Sequence, residues 1–469
     1  MKTPTVEWDE LSGAVRGEVV LPASAAYDDV RKPAMARFDH VMPAAIVRCT
    51  TSADISAAIG FARRAGVQLG IRCGGHSVAG RSSTEGILVD VTPMRDISVT
   101  GEVATVGAGV RLGELYEALH EHGVTIPAGC GPSVGIAGLT LGGGIGILGR
   151  RYGLTCDRLL RAQIVLADGR VVECSESQSP DLFWALRGAG GGNFGVVTSL
   201  VFAAVPAPDP TVFRLRWPIA NATALVDTWQ KWAPDAPDDV DATLRLTGGT
   251  HGEPPKVELF GAVLGDENKT AQRLDAFLSR ARLTPAAEWS RQTAYPLAKR
   301  HLNELDQHED SSAGESNRQG HIYSKSEFFR RSLDRQTIDA LVEGISREAA
   351  GALVREVAFM PWGGAYNSVA SDATAFPHRS ERFLVQHLFE TDPDASGAEA
   401  DAARGWLQRS WALLEPSGSG GVYPNFPDPD LADFGRAYYR ENYERLLEVK
   451  ATYDPDNVFV FRQSLPSTR

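Results

Sequence analysis

The sequence is poor in cysteine, has no long apolar run and carries no excess of positive charge. Its five cysteines are scattered and lack metal-ligand spacing, which argues against a disulfide framework and predicts no metal site. No stretch approaches the roughly 18 apolar residues that span a bilayer, and no signal segment opens the chain. The net charge of −12 disfavours nucleic acid and membranes as partners. These absences predict a soluble, cytoplasmic enzyme that acts on a small molecule, and they leave its oligomeric state open.

The chain length and the positions of proline- and glycine-rich stretches predict two domains and a C-terminal element. In the first domain, 1–205, residues from about 46 onward alternate short β-type runs with amphipathic helices. Residues 206–420 combine long helices with β runs typical of an antiparallel sheet covered by helices. A proline-rich stretch and a glycine-serine link mark the two boundaries. Residues 421–469 contain a last helix, predicted over 431–450. The predicted fold class is therefore α+β, and the polar, aperiodic segment 306–319 is interpreted as a surface loop.

Two local patterns in the first domain are clear. Residues 52–65 read as a helix with Ser52 as its N-cap and Gly66 as its stop. The dipeptide Asp168-Gly169 predicts a hairpin turn. That hairpin argues against a Rossmann interpretation of the G-x-G-x-x-G pattern at 144–149, which would need the same aspartate as its ribose ligand.

Glycine, by contrast, is abundant. Its 47 residues make up about 10% of the chain, against a usual share of roughly 7%, and they concentrate in three clusters. The first, 72–80, holds His76 within a turn, and the others cover 127–146 and 187–198. Bare N–H groups in such turns form nests for phosphate oxygens, and glycines let the backbone approach a bulky ligand. One such turn is also compatible with ordinary strand-end structure, but three in one domain favour a single long ligand.

Specific motifs in these clusters resemble a known family. The runs Arg72-Cys73-Gly74-Gly75-His76-Ser77, 134–146, Tyr152-Gly153-Leu154 and Gly192-Asn193-Phe194-Gly195 resemble the PCMH-type FAD-binding domain of the vanillyl-alcohol-oxidase superfamily. Residues 442–459 resemble the C-terminal element of its berberine-bridge-enzyme branch. The resemblance leaves the middle of the second domain unmatched. It implies a two-domain flavoprotein with FAD as cofactor.

The resemblance also implies which residues hold FAD. The turn around His76 would bind the pyrophosphate, and His76 would bond covalently to the 8-methyl carbon of the flavin; a non-covalent cradle is the alternative. Val134 stands where a small residue leaves room for O2 in the family, which favours O2 as the electron acceptor. The implied cofactor-binding residues are Arg72, Gly74, Gly75, His76, Ser77, Gly80, Cys130, Val134, Ile136, Gly138, Thr140, Gly143, Gly146, Val197 and Asn457.

Cys130 raises a separate question. Many relatives attach the flavin a second time through a cysteine, whose position is taken here by Gly131, while Cys130 stands one residue earlier. Because consecutive Cα atoms are about 3.8 Å apart, this shift moves the thiol by several ångströms. Two interpretations stay open: a second covalent bond through Cys130, or a small buried apolar side chain.

Hydride transfer to a flavin requires a base that takes the substrate proton. Tyr438 and Tyr439 resemble the active-site tyrosine of the family, with the register favouring Tyr438, and packing against the sheet is the alternative. Strand 382–389 places Gln386 where relatives hold a carboxylate, a glutamine or a tyrosine. An amide cannot act as a base, so Gln386 is expected to orient the substrate.

The resulting hypothesis is an FAD-linked oxidase, in keeping with a bacterial enzyme of secondary metabolism. Hydride would pass from an alcohol-type carbon of a sugar or secondary-metabolite intermediate to FAD, and O2 would reoxidise the flavin to give H2O2. Trp362 and Tyr366 would wall the substrate cavity. Three alternatives are a dehydrogenase of the same fold, a non-redox isomerase or cyclase, and a flavoprotein that sequesters a drug-like molecule.

Overall fold

The computed structural model describes residues 7–249, 254–306, 321–347 and 352–467. Most of the polar segment 306–319 therefore lies outside the described residues. Within the described ranges, no helix combines the length and the apolar character needed to cross a bilayer.

The first unit is built from two small sheets and the helices around them. Strands β2, β4 and β3 pair in parallel with β1 antiparallel at the edge, a second sheet has the antiparallel order β5-β6-β10-β8-β9, and β7 pairs with β11. The predicted turn Asp168-Gly169 joins β8 to β9, with Gly169 at φ +84°. The elements are α1 (Trp8–Ala14), β1 (Glu18–Val20), α2 (Tyr27–Arg31), β2 (Ala45–Arg48), α3 (Ser52–Ala65), β3 (Leu69–Arg72), β4 (Ile87–Asp90), β5 (Ile97–Thr100), β6 (Val103–Gly107), α4 (Leu112–His120), β7 (Val124–Thr125), α5 (Ile136–Leu141), α6 (Gly149–Tyr152), β8 (Leu159–Val165), β9 (Val171–Ser175), α7 (Pro180–Leu186), β10 (Val196–Ala203) and β11 (Val205–Pro206).

Helix α3 shows how local sequence sets the ends of an element. Thr51 is its N-cap, because its side chain accepts from the Asp54 amide at 3.3 Å while the Asp54 carboxylate accepts from the Thr51 amide at 3.0 Å. The prediction of Ser52 is wrong by one residue, since Ile55 stands three positions after it and cannot complete such a capping box. Gly66 ends the helix at φ +64°, as predicted.

The second unit is a seven-stranded antiparallel sheet of order β15-β12-β14-β13-β17-β18-β16. Helices α8, α9, α11 and α12 pack on one of its faces, which confirms the predicted α+β class. The elements are β12 (Thr211–Pro218), α8 (Ala222–Trp232), β13 (Val240–Thr247), β14 (Lys256–Val263), α9 (Glu267–Ala281), β15 (Ala287–Gln292), α10 (Tyr295–Asp306), β16 (His321–Phe329), α11 (Arg335–Ser346), β17 (Ala352–Pro361), β18 (Phe383–Thr391) and α12 (Gly397–Leu414).

Alternation along β17 makes the two faces of this sheet different. Phe359 points to the helices and is fully buried, with its ring centroid 5.8 Å from that of Trp229 in α8. Glu356, Ala358 and Met360 point to the other side and line an open cavity. The sheet therefore uses its apolar face for the core and presents a partly polar face to the first unit.

The C-terminal element contains two helices, α13 (Phe434–Tyr439) and α14 (Tyr443–Tyr453), where the sequence predicts one helix over 431–450. Arg440 lies between them in the left-handed region, at φ +47°. That backbone conformation interrupts the α-helical hydrogen bonds, and a short 3-10 turn takes their place. The tyrosines before and after the break therefore lie on separate helices.

The C-terminal element is bound to the third glycine cluster through Asn193. Fully buried Lys450 of α14 donates to the Asn193 carbonyl at 2.8 Å and to the Asp454 carboxylate at 2.7 Å. The Asn193 side-chain oxygen accepts from the Leu465 amide at 3.0 Å. These contacts hold the end of the chain against the first unit.

Candidate functional site

A cavity of about 710 Å³ lies between the first unit and the open face of the large sheet. Its wall joins the three glycine clusters, strands β17 and β18, and segment 423–427. The residues that were predicted to bind cofactor or substrate and that line this cavity are Gly74, Gly75, His76, Ser77, Cys130, Val134, Gly138, Gly146, Val197, Trp362, Tyr366 and Gln386. Motifs that are far apart in the sequence therefore line the same cavity.

His76 stands in the cavity wall, on the turn that follows β3. Its Nε2 lies 2.9 Å from Ser133 Oγ in the second glycine cluster. The two clusters interlock there, since a Cβ at Gly74 would overlap the Gly135 nitrogen. Burial, together with the positive charge of Arg111, lowers the pKa of His76 to about 4. The imidazole is therefore neutral at pH 7 and keeps a lone pair, which is the form that can bond to carbon.

The glycines leave the backbone open towards the cavity. A Cβ at Gly138 would meet nothing within 4 Å, and one at Gly191 nothing closer than 3.8 Å. Arg81 also lines the cavity, and its Nε is buried without a hydrogen-bond partner in the described residues, while its Nη2 donates to Gln463 Oε1 at 3.2 Å. A guanidinium beside bare peptide groups suits a diphosphate. Sequence reasoning did not single out Arg81.

The sheet side of the cavity carries the residues predicted to meet the substrate. Gln386 lines the cavity from β18, and its Nε2 donates to Ser324 Oγ at 3.1 Å. Trp362 and Tyr366 stack with their ring centroids 4.4 Å apart. The Tyr366 hydroxyl donates to the Gly146 carbonyl at 3.2 Å, so this aromatic pair closes the cavity against the second glycine cluster.

Tyr438 and Tyr439 lie outside the cavity wall. The Tyr438 hydroxyl accepts from the Asp428 amide at 2.9 Å, and the Tyr439 hydroxyl donates to the Ala189 carbonyl at 2.8 Å. Burial raises the pKa of Tyr438 to about 12 and raises the pKa of Tyr439 as well. This corrects the expectation that one of them faces the substrate, because both hydroxyls are engaged in packing the C-terminal element.

Other predicted cofactor residues lie behind the cavity wall and support it: Arg72, Gly80, Ile136, Thr140, Gly143 and Asn457. Arg72 donates to the carbonyls of Ser82, Val30 and Arg31, which holds the His76 turn in place. Gly80 has φ +74° and packs so closely that a Cβ there would overlap the Phe38 ring. Fewer of the predicted cofactor-binding residues therefore line the cavity than the motifs imply.

Tyr423 is a cavity tyrosine that sequence reasoning missed. Its hydroxyl accepts from the Gly144 amide at 3.0 Å and from Asn425 Nδ2 at 3.1 Å, and burial raises its pKa. It opens the run Tyr423-Pro424-Asn425-Phe426-Pro427, which lines the cavity throughout. Two prolines in five residues exclude a helix and indicate a turn or loop, and that signal could have located this part of the wall.

Asp241 on β13 is a second cavity residue that sequence reasoning missed. Burial raises the pKa of its carboxyl group, whereas the positive charges of Arg150 and Lys299 act in the opposite direction. Nearby, Cys130 lines the cavity with its Sγ 4.0 Å from Lys299 Nζ. The sequence could not show the raised pKa of Asp241 or the contact between Lys299 and Cys130, because each depends on residues of different domains.

These features fit FAD, a long cofactor with a diphosphate and a flat ring system. Open glycine backbone and Arg81 suit the diphosphate, and His76 supplies a neutral imidazole beside the same cavity. The fold of the first unit, the antiparallel sheet of the second and the cavity between them define an FAD-dependent flavoprotein of two domains.

Comparisons with known proteins agree. The family model "FAD binding domain" matches residues 43–175, and the model "Berberine and berberine like" matches residues 422–466. The FAD-linked oxidoreductase YgaK of Bacillus subtilis is 34% identical, covering 91% of this chain and 92% of its own. The monolignol oxidoreductase AtBBE-like 13 of Arabidopsis thaliana is 30% identical, covering 88% and 82%. The structure of BBE-like 1 from Physcomitrella patens has a TM-score of 0.88 and 28% identity, covering 98% and 99%.

The chain belongs to the berberine bridge enzyme-like family of FAD-linked oxidoreductases. The family resemblance and the choice of FAD as cofactor are confirmed.

Proposed function

We propose that this protein is an oxidase that takes hydride from an alcohol-type carbon of a small molecule onto FAD bonded to His76, with O2 as electron acceptor. The observation that carries the proposal is the neutral His76 imidazole in the wall of a cavity that Gln386 of the large sheet also lines. A relative named for its action on monolignols supports a small organic donor. Val134 in the cavity wall supports access for O2.

FAD, when bound, supplies the hydride acceptor, and the protein's own side chains bind the substrate and move its proton. The Gln386 amide orients a substrate hydroxyl by hydrogen bonding. Tyr423 stays protonated because burial raises its pKa, so it acts as a hydrogen-bond donor and not as a base. We assign the base to Asp241, a carboxyl group in the cavity wall whose pKa is raised by burial and thereby brought nearer to neutral pH.

The covalent bond is tested by the intact mass of the denatured protein. We expect the wild-type polypeptide to carry the mass of FAD, the His76→Ala variant to carry less, and His76→Ala/Cys130→Ala to carry none. Retention of covalent FAD by the double variant would reject both attachment residues.

The redox activity is tested by anaerobic titration with sugars and aryl alcohols, followed by rapid mixing with air. Bleaching of the flavin by a substrate, fast reoxidation and stoichiometric H2O2 are the expected results. Slow reoxidation would identify a dehydrogenase instead. A product of unchanged oxidation state would identify an isomerase or cyclase, and binding without bleaching would identify a sequestering protein.

A further inference from the structure

The C-terminal tail, residues 459–465, forms the cavity wall next to Arg81. Residues 459–461 of this tail line the cavity, as Arg81 does. The Arg81 guanidinium carbon lies 5.2 Å from the centroid of the Phe461 ring. The same ring packs on the third glycine cluster, where a Cβ at Gly192 would lie 3.4 Å from it. The end of the chain therefore meets a cationic side chain and bare glycine backbone at one place.

Arg81 stands between the first and third glycine clusters. Its backbone amide donates to Ser77 Oγ at 3.2 Å, and its Nη1 lies 4.0 Å from the position of a Cβ at Gly190. Gly190 and Gly192 have φ of +85° and +83°, a backbone conformation that occurs in anion-binding nests. Within the part of the chain that the structure describes, Arg81 Nε is buried without a hydrogen-bond partner. A diphosphate would supply acceptors for this N–H and for the glycine amides.

Gln463 fixes the direction of the guanidinium from the tail. Its Oε1 accepts from Arg81 Nη2 at 3.2 Å and from the Tyr438 hydroxyl at 3.3 Å. Its Nε2 donates to the Asp428 carbonyl at 2.8 Å. Because a guanidinium only donates, the amide oxygen must face Arg81, and the orientation of the amide is determined. The tail thus binds one N–H of the guanidinium and leaves Nε open.

Gln463 makes these contacts from an unfavourable backbone conformation. Its φ is +66°, in the left-handed region that glycine and asparagine adopt more readily than glutamine. Such a conformation persists where surrounding contacts compensate for it, and it is concentrated at functional sites. Here the contacts are those of the side chain, so the amide group accounts for a glutamine at this position.

We propose that Gln463 is a positioning residue for the cofactor: it holds the Arg81 guanidinium towards the diphosphate of FAD, so that the tail contributes to FAD affinity through Arg81. The two residues are 382 positions apart. The inference rests on FAD as the cofactor and not on the proposed reaction. An oxidase, a dehydrogenase and a sequestering flavoprotein require the same contact with the diphosphate.

The test uses a chain with His76→Ala and Cys130→Ala, in which FAD is expected to bind without a covalent bond. Its dissociation constant is measured by flavin fluorescence. Adding Arg81→Met should raise this constant about 10- to 100-fold, because a hydrogen bond from a charged group is lost. Adding Gln463→Gly should raise it about three- to tenfold, because Arg81 keeps its charge and loses its orientation.

The combination of Arg81→Met and Gln463→Gly separates positioning from a merely structural role. Two independent contributions would multiply, whereas a residue that acts through Arg81 should weaken FAD binding by less than about twofold once Arg81 is gone. Gln463→Asn has a shorter side chain and should resemble Gln463→Gly; neither replacement adds backbone strain. Ser467→Ala is the control, since its hydroxyl donates to the Pro455 carbonyl at 3.1 Å, and it should leave the constant unchanged.

Equal FAD affinity with and without Gln463→Gly would overturn the proposal, as would independent effects in the combined variant or no effect of Arg81→Met. If the background chain keeps FAD covalently or loses it during purification, the variants are made in the wild-type chain. The fraction of polypeptide that carries FAD is then measured by absorbance. Gln463→Gly should lower this fraction and add nothing to Arg81→Met, and an unchanged fraction overturns the proposal.

The outcomes for Gln463 and for the reaction are distinguishable. An active oxidase whose FAD binding ignores Gln463→Gly rejects the positioning role alone. A chain that shows the coupling between Gln463 and Arg81 but whose flavin no donor reduces rejects the proposed function alone.

Discussion

Hydrogen bonds between the glycine clusters set the orientation of single residues in the site. Ser133 and His76 are 57 positions apart, and their side chains meet at 2.9 Å where the two turns interlock. The neutral imidazole has one N–H and one lone pair, so a partner on Nε2 determines which way the ring presents its other nitrogen. Ser133 is thus a positioning residue for the imidazole to which we propose that FAD is bonded.

Replacing Ser133 by alanine should lower the fraction of protein that carries covalent FAD several-fold, because the His76 ring loses the group that orients it. The lost hydrogen bond should cost about 1 kcal/mol in the free energy of unfolding. Intact mass and urea denaturation measure the two effects. Ser133→Thr is the matched control and should retain both; equal FAD content in Ser133→Ala would show that the hydroxyl does not orient the ring.

At the scale of elements, the C-terminal segments divide their tyrosines between cavity and core. Tyr423 lies in the turn segment 423–427 that lines the cavity, whereas Tyr438 lies on α13 outside the cavity wall. The break at Arg440 then starts α14 in a new direction. The tyrosine that lines the cavity and the tyrosine that packs the C-terminal element are therefore 15 residues apart in the chain.

This division predicts opposite effects for two conservative variants. Tyr423→Phe removes the acceptor of the Gly144 amide and a hydroxyl from the cavity, and should lower kcat/KM by about 10- to 100-fold. Tyr438→Phe should change kcat/KM by less than about threefold but lower the free energy of unfolding by about 1 kcal/mol. Steady-state kinetics and urea denaturation distinguish them. A loss in kcat/KM for Tyr438→Phe larger than that for Tyr423→Phe would support Tyr438 as the active-site tyrosine.

Glu327 on β16 predicts a pH dependence of stability. Its side chain is buried, it accepts from the Gly420 amide at 2.7 Å, and burial raises its pKa from 4.5 to about 8. The folded state therefore binds a proton that the unfolded state has released between these values. The contribution is complete below pH 4.5 and is lost as the pH rises through 8.

Glu327→Gln, which imitates the neutral acid, should match the wild type near pH 4.5 and exceed its free energy of unfolding above pH 8, by an amount on the order of 1–3 kcal/mol. Urea denaturation at several pH values measures the difference. The exposed Glu448→Gln is the control and should show none. A constant difference between Glu327→Gln and the wild type across pH would contradict the raised pKa.

At the scale of the whole molecule, the two units are joined by a buried ion pair. Arg379 donates to both carboxylate oxygens of Asp157, at 2.6 and 2.8 Å, with 2% and 8% of the two side chains exposed. Asp157 follows the second glycine cluster, and Arg379 precedes β18. The pair thus connects the first unit to the second, close to the start of β18 in the large sheet.

Arg379→Met should lower the free energy of unfolding by about 3–5 kcal/mol, because it leaves the Asp157 carboxylate buried and unpaired. The double variant Arg379→Met/Asp157→Asn should lose less than the sum of the single losses. Urea denaturation measures the cycle. The exposed pair Arg335–Asp339 is the reference, worth at most about 1 kcal/mol; additive losses at Arg379 and Asp157 would contradict a coupled pair.

Much of the first unit follows from local signals. Gly66 ends α3 and Asp168-Gly169 turns the hairpin because each adopts a backbone conformation that its residue type favours. Period-two alternation correctly turns Gln386 towards the cavity. The prediction of Ser52 and of one final helix failed, since a cap depends on a single side-chain partner and a helix break on a single backbone angle.

The sequence alone determined the α+β class, the three glycine clusters and the histidine within the first, because strand alternation, turn chemistry and motif order are properties of neighbouring residues. Tertiary structure alone decided that Tyr423 faces the cavity, that Tyr438 does not, and that Lys299 stands beside Cys130, 169 positions away. Contacts over such distances depend on how two sheets and a C-terminal element pack together. The periodicity of neighbouring residues carries no information on contacts between elements that are far apart in the chain.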